Sequence, residues 1–103
     1  MKSEIDCVEF CRALADPARQ HILQMLLDGE KNVSAIVSDC RITQPTVSHH
    51  LDVLARYGLV ESRKQGKQVF YRAIRENITT CCGMLMAKFD NEDEIPTHQG
   101  AKK

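Results

Sequence analysis

The chain has 103 residues, of which 43% are hydrophobic and 27% charged. This composition is typical of one small globular domain and leaves no room for a catalytic domain beside a binding domain. No apolar run reaches the ~18 residues that a membrane helix requires, and the acidic start lacks the apolar stretch of a signal peptide, so we expect a cytoplasmic protein with no membrane partner. The 14 basic and 14 acidic side chains cancel, but residues 41–75 carry seven basic and two acidic ones. A basic middle between acidic flanks favours a polyanionic partner.

Two amphipathic helices are predicted in the first part of the chain. The first spans residues 3–15. Asp16 then supplies an N-cap and Pro17 the first residue of a second helix, which runs to about Leu27 and ends at Gly29. The first helix is defined by apolar side chains at the spacing i, i+3, i+4, i+7, namely Cys7, Phe10, Cys11 and Leu14.

A helix, a tight turn, a second helix and a hairpin are predicted next. Asn32 caps a short third helix, and Thr43 caps a fourth that runs to Tyr57. After Gly58 the hydrophobic period changes to two, over residues 59–64 and 69–74, with a turn at residues 65–67. This pattern predicts a two-stranded β-hairpin.

A fifth helix is predicted from about Arg75 to Phe89. Its apolar spacing again follows one helical face, and the cysteines at positions 81 and 82 belong to it. From Asp90 onward the chain is acidic and polar and contains Pro96 and Gly100. We therefore predict one domain over residues 1–89 and a disordered acidic tail over residues 90–103.

Helix, turn, helix and hairpin in this order predict a mainly α fold with a small β-hairpin, the winged helix-turn-helix. Residues 13–19 (ALADPAR), 43–51 (TQPTVSHHL) and 57–60 (YGLV) resemble the signature of the ArsR/SmtB family of bacterial repressors. The resemblance covers residues 7–76 without gaps. It implies a homodimer formed by the first and last helices, which binds double-stranded operator DNA and leaves it when a metal ion, a metalloid or an oxidant reaches the protein.

The fourth helix and the hairpin carry the predicted DNA-binding residues. Short hydrogen-bonding side chains on the first turns of a helix suit the major groove, where glutamine pairs with adenine, and basic hairpin side chains suit phosphates. The alternative is a plain helix start beside a solvated hairpin. The predicted helix residues are Thr43, Gln44, Thr46, Ser48 and His49, and the predicted hairpin residues are Arg63, Lys64, Lys67, Gln68 and Arg72.

The histidines do not predict a zinc site. His49 and His50 are adjacent, and adjacent helical side chains diverge by about 100°, so we expect His49 to face DNA and His50 to be partly packed. Zinc sensors of the family carry paired Asp and His ligands on the last helix. This chain has no histidine from Arg75 to Phe89.

The cysteines are the candidate inducer site. The Cys-x-Cys pair that arsenic and cadmium sensors of the family carry on the third helix is replaced by Asn32 and Ser34, and we expect Cys40 to be a core residue. Because the first and last helices meet in this family, their thiols are expected to come together. Thiolates suit soft ions such as As(III), Cd(II), Hg(II), Cu(I) or zinc, and trigonal As(III) needs three sulfurs. The predicted ligands are Cys7, Cys11, Cys81 and Cys82.

Two alternatives stay open for these thiols. Disulfide formation or reaction with sulfur species would make the protein a redox sensor of the same family. All four cysteines also lie on apolar stripes, where cysteine serves as a small hydrophobe, in a dimerisation or adaptor module. A thiol enzyme is not predicted, because no cysteine stands beside a base at a catalytic spacing.

Overall fold

The structure, a computed structural model, describes residues 7–90 and leaves the side chain of Cys7 undescribed. Residues 3–6 of the predicted first helix and residues 91–103 of the predicted tail lie outside this range. The predicted elements occur in the predicted order, with one strand more. They are α1 (Cys7–Ala13), α2 (Pro17–Asp28), β1 (Lys31–Asn32), α3 (Val33–Cys40), α4 (Gln44–Arg56), β2 (Val60–Gln65), β3 (Gln68–Ala73) and α5 (Arg75–Asp90).

The start of α2 confirms the predicted cap at Asp16. Its Oδ1 accepts hydrogen bonds from the backbone N–H groups of Ala18, at 2.8 Å, and Arg19, at 3.2 Å. Pro17 follows at the first helical position, where a missing N–H costs nothing. Burial acts to raise the pKa of Asp16, but the two backbone hydrogen bonds and the charge of Arg19 outweigh it, so this pKa is lowered.

The turn between α3 and α4 depends on three polar residues. Asn32 caps α3 as predicted, because its Oδ1 accepts from the Ala35 N–H at 2.8 Å. Arg41 ends α3 in the left-handed region, at φ 61°, a conformation that costs a residue with a Cβ roughly 1 kcal/mol. Thr43 is the N-cap residue of α4, but its side chain makes no cap hydrogen bond and instead meets the Thr46 hydroxyl at 3.0 Å.

The hairpin is confirmed, with each strand shifted by one residue from the prediction. β2 and β3 are antiparallel and pair from Val60 with Ala73 to Gln65 with Gln68. The loop between them has two residues and begins with Gly66 at φ 63°, the position that a type II′ turn assigns to glycine.

A third strand was not predicted. β1 pairs antiparallel with β3, Lys31 opposite Tyr71 and Asn32 opposite Phe70, so the sheet order is β1-β3-β2. Asn32 therefore belongs to the sheet and also caps α3. The wing, by which we mean β2, β3 and their loop, is thus joined to the helix-turn-helix by main-chain pairing.

One core holds the helices against the base of the wing. The predicted inward positions of α4 are confirmed, since Val47, Leu51 and Leu54 are fully buried, and Leu59 and Val60 extend the core into the sheet. From α2, Ile22, Leu23 and Leu26 are buried, whereas Leu27, also predicted inward, is only partly buried. The remaining buried members are Phe10, Ala13, Ile36, Ala73 and Cys81.

The large exposed hydrophobic side chains of the described residues all lie on α1 and α5, which contact each other. They are Val8, Met84, Met86 and Phe89, and Phe89 is 65% exposed. Such a patch is typical of an interaction surface. Within residues 7–90, no helix combines the length and the apolar character needed to cross a membrane.

Candidate DNA interface and thiol sites

The first two turns of α4 present the predicted polar residues to solvent. Gln44 and Thr46 are exposed, together with Thr43 just before the helix; Ser48 is half-buried and His49 exposed. The interleaved Val47 is fully buried, so the polar side chains cannot turn inward. α4 therefore offers short donors and acceptors at its N-terminal end, as a helix that enters the major groove does.

His50 is 8% exposed and is therefore more deeply buried than the partial packing that the sequence predicted. Its Nδ1 lies 3.2 Å from a terminal nitrogen of Arg19 on α2. Since arginine can only donate, this ring nitrogen accepts in the contact. The Arg19 Nε also donates to the carbonyl of Ala13, at 2.7 Å.

The five predicted hairpin residues do not share one face. Side chains alternate along a strand and paired residues point the same way, so Arg63 lies with its partner Phe70 on one face, while Lys64 lies with Val69 on the other. Arg72 shares the Arg63 face. A single DNA backbone passing along one face of the wing cannot meet all of these cations.

Each of the three nitrogens of the Arg63 guanidinium donates a hydrogen bond within the protein. It donates to both carboxylate oxygens of Glu30, at 2.7 and 2.8 Å, and to Gln65 at 2.7 Å. It also lies over the ring of Phe70, 4.9 Å from the centroid. The hydrogen bond from Arg63 lowers the pKa of Glu30, and the same bond raises the pKa of Arg63. Arg72 forms an ion pair with Glu61 across the hairpin.

Lys64 and Lys67 are the predicted wing cations that have no acidic partner within residues 7–90. Both are exposed, and among the described residues no carboxylate lies within 4.0 Å of either. Gln68 is exposed but accepts a hydrogen bond from the side chain of Asn32, at 2.7 Å. Among the described residues, the charges of these two lysines are therefore not neutralised by a carboxylate.

The cysteines divide between core and surface. Cys81 is fully buried, whereas Cys82, next to it on α5, is exposed, and Cys11 on α1 is exposed as well. Cys40 is half-buried on α3, where burial first and the charge of Asp39 second raise the pKa of its thiol. An elevated pKa keeps Cys40 protonated and unreactive, consistent with the predicted core role.

Cys11 lines an open groove of about 350 Å³ between α1 and α5. Its walls are mostly apolar, and two cations, Arg12 and Lys88, stand at its edge. The other lining residues are Val8, Ala15 and Leu85. The groove lies on the face that carries the exposed hydrophobic patch.

The predicted ligand set is not assembled within one protomer in the part of the chain that the structure describes. No three Cys, His, Asp or Glu side chains come together there at metal-binding separations. Cys81 and Cys82 diverge because adjacent helical residues do. The side chain of the predicted ligand Cys7 is not described. The other three predicted ligands are the accessible thiols of Cys11 and Cys82 and the buried thiol of Cys81.

Sequence reasoning missed three residues that organise this surface. Glu30 holds Arg63 from 33 positions away, and Arg19 and His50 are 31 positions apart. No local spacing connects either pair. The signal that was present is the surplus of basic residues in 41–75, which marks a charged surface without naming the acids that neutralise part of it.

Comparisons with known proteins agree with this geometry. Residues 16–62 match the family described as "Bacterial regulatory protein, arsR family". An uncharacterized HTH-type transcriptional regulator of Methanocaldococcus jannaschii is 37% identical over 71 residues, which are 68% of this chain and 80% of that protein. A "Probable mercury resistance operon repressor" of Streptomyces lividans is 45% identical over 62 residues, 60% of this chain and 50% of that one.

Solved structures show the same fold. The homodimeric winged helix-turn-helix DNA-binding domain of a possible ArsR-family regulator from Mycobacterium bovis superposes with a TM-score of 0.67 at 30% identity. The match covers 91% of this chain and 86% of that one.

Proposed function

Because this chain belongs to the ArsR family of transcriptional repressors, we propose that it binds operator DNA as a homodimer and leaves that DNA when its thiols bind a soft metal ion or metalloid. The family consists of DNA-binding regulators and not of enzymes. The exposed polar start of α4, backed by a fully buried Val47, is the observation that best supports DNA binding.

In the proposed complex α4 contacts base edges and the wing contacts phosphates. The exposed amide of Gln44 suits adenine, and the hydroxyl of Thr46 suits bases or phosphates. Lys64 and Lys67 neutralise phosphates beside the groove, whereas Arg63 and Arg72 stay with their carboxylates. Two such α4 helices in a dimer would enter successive major grooves about one turn apart.

The proposed dimer forms through α1 and α5. The exposed hydrophobic patch on these helices would be covered by the same patch of a second copy, as a twofold symmetric interface requires. The homodimeric relative from Mycobacterium bovis supports this assembly.

The thiols suit a soft ion, but the number of accessible thiols in one protomer limits which ion they can bind. A linear Hg(II) complex needs two thiolates, and Cys11 and Cys82 are accessible on the helices of the proposed dimer face. Trigonal As(III) needs a third thiolate, which would have to come from Cys7 or from the second protomer. The Streptomyces lividans protein, named for mercury resistance, supports Hg(II) as the first ion to test.

The proposal is tested by fluorescence anisotropy of the reduced protein, freed from reductant and kept under anaerobic conditions, on DNA from its own promoter and titrated with HgCl₂ or arsenite. We expect affinity to fall ~30 to 150-fold, the range of a typical allosteric coupling. Cys11→Ser and Cys82→Ser should keep DNA binding and weaken release. Cys40→Ser is the matched control and should respond like the wild-type protein.

Each further outcome selects another function. Release by an oxidant or a persulfide, but not by metal, would identify the redox-sensing alternative. DNA binding that no thiol reagent changes would leave a repressor with core cysteines only. Absence of binding to any duplex would refute DNA recognition and favour a dimerisation module.

A further inference from the structure

Arg19 connects the helix of the proposed dimer face with the helix of the proposed DNA interface. It lies half-buried on α2. One side of its guanidinium donates to the last turn of α1, through the carbonyl of Ala13 at 2.7 Å and, at 3.5 Å, that of Arg12. Its other terminal nitrogen meets the Nδ1 of His50 on α4 at 3.2 Å. One rigid group on α2 thus contacts two other helices, α1 and α4.

Each contact of Arg19 satisfies an acceptor on a neighbouring helix. The last carbonyls of α1 have no partner within their own helix, and a cation near a helix C-terminus is favourable. The ring of His50 is almost completely buried, so its Nδ1 requires a donor. The carboxylate of Asp16, which caps α2 beside them, accepts a hydrogen bond from the backbone N–H of Arg19 at 3.2 Å. Substitution at either end therefore leaves a buried group unsatisfied.

We propose that Arg19 and His50 are positioning residues that set the angle of α4 relative to α1, and hence the separation of the two α4 helices in the dimer. This rests on the proposed function, since a separation matters only in a dimer that binds two half-sites. The guanidinium is planar and fixes its donors in one geometry, so a shift of the α1 carbonyls must move or break the contact with His50. Cys11 directly precedes Arg12 and Ala13, which places an accessible thiol next to this contact.

Four variants separate positioning from folding. Arg19→Lys keeps the charge but cannot span both ends, and His50→Phe keeps a ring but removes the acceptor. His50→Asn retains an oxygen near the place of Nδ1 and is the rescue variant. His21→Asn is the control, because the His21 side chain is exposed on α2 and pairs with Asp39 on α3, away from Arg19 and His50.

The first measurement is the affinity for the duplex that the wild-type protein selects from a random library, and for the same duplex with the half-site separation lengthened or shortened by one base pair. We expect the preference for the selected separation to fall about tenfold in Arg19→Lys and His50→Phe, the scale of one lost hydrogen bond to a charged group. His50→Asn and the control His21→Asn should retain it. A wild-type protein without such a preference, or variants that keep it, would overturn the proposal.

The second measurement needs no DNA and is amide hydrogen exchange of the free dimer. We expect faster exchange in α4 of Arg19→Lys and His50→Phe, with unchanged exchange in the core of α2. A general loss of stability would accelerate both helices alike and would overturn the positioning role, as would unchanged exchange in α4. If the wild-type protein binds no DNA, the proposed function fails while this measurement still decides whether the contact holds α4.

Discussion

The wing offers a direct test of which cations meet DNA. Lys64→Gln with Lys67→Gln removes two exposed cations that have no carboxylate partner among the described residues, whereas Arg63→Gln removes one whose charge is matched by Glu30. Each phosphate contact contributes about 0.9 to the slope of log affinity against log salt concentration. Two lysines in each protomer correspond to four contacts in a dimer, so the slope should fall by about 3.6.

The consequence is large at ordinary salt concentrations. When salt rises from about 50 to 200 mM, the wild-type protein should lose about 150-fold more affinity for DNA than the double lysine variant does. Arg63→Gln should leave the slope nearly unchanged, because no counterion is displaced by a guanidinium that stays with Glu30. Glu30→Gln, which frees Arg63, should raise the slope by at most about 1.8 per dimer.

The assay is anisotropy of a labelled duplex at four or more salt concentrations, with dimerisation checked by sedimentation. If Arg63→Gln lowers the slope as much as one lysine substitution does, Arg63 leaves Glu30 and binds DNA. The inference that only the two lysines of the wing contact phosphates would then be wrong. If the lysine pair changes nothing, the wing does not touch the backbone.

Further predictions concern stability and assembly. Asp16→Asn keeps the cap acceptor but cannot titrate. Because folding lowers the pKa of Asp16, the contribution of its carboxylate to folding stability is complete above the unfolded-state pKa and is lost as pH falls through the folded-state value. The free energy of urea unfolding of the variant should therefore depend less on pH below about pH 5 than that of the wild-type protein. Asp16→Ala should cost about 1 kcal/mol at neutral pH. Arg41→Gly should stabilise by roughly 0.5 to 1 kcal/mol in urea titrations, since glycine adopts φ 61° without strain, and a loss would contradict that account. Phe89→Glu should shift sedimentation toward monomer, whereas an unchanged dimer would place the interface elsewhere.

Local signals in the sequence predicted the helices well. Asp16 and Pro17 gave the start of α2, and Asn32 gave the start of α3, because caps act over two or three residues. The apolar spacing in α4 identified Val47 and Leu51 as core. The cap bond at Thr43 was wrong because the hydroxyl of Thr46, one turn on, offers a competing partner.

Long-range pairing was beyond the same reasoning. β1 has two residues and no alternation of its own; it exists because Lys31 and Asn32 meet β3 about forty positions later. The partner of Arg63 is likewise distant in sequence, so its basic character was visible and its neutralisation was not. Cys81 is buried and Cys82 exposed because of how α5 is rotated about its axis against the core. Two adjacent cysteines in a sequence do not show which of them faces inward.

The sheet has two edges, and both are poor templates for further strands. β1 is only two residues long, and β2, the opposite edge, carries Glu61, Arg63 and Lys64 exposed along six residues. Charged side chains and short length prevent unpaired backbone groups from recruiting another chain. The wing can therefore project from the domain without promoting aggregation. The charged residues of β2 keep the protein soluble, in addition to any contact that they make with a partner.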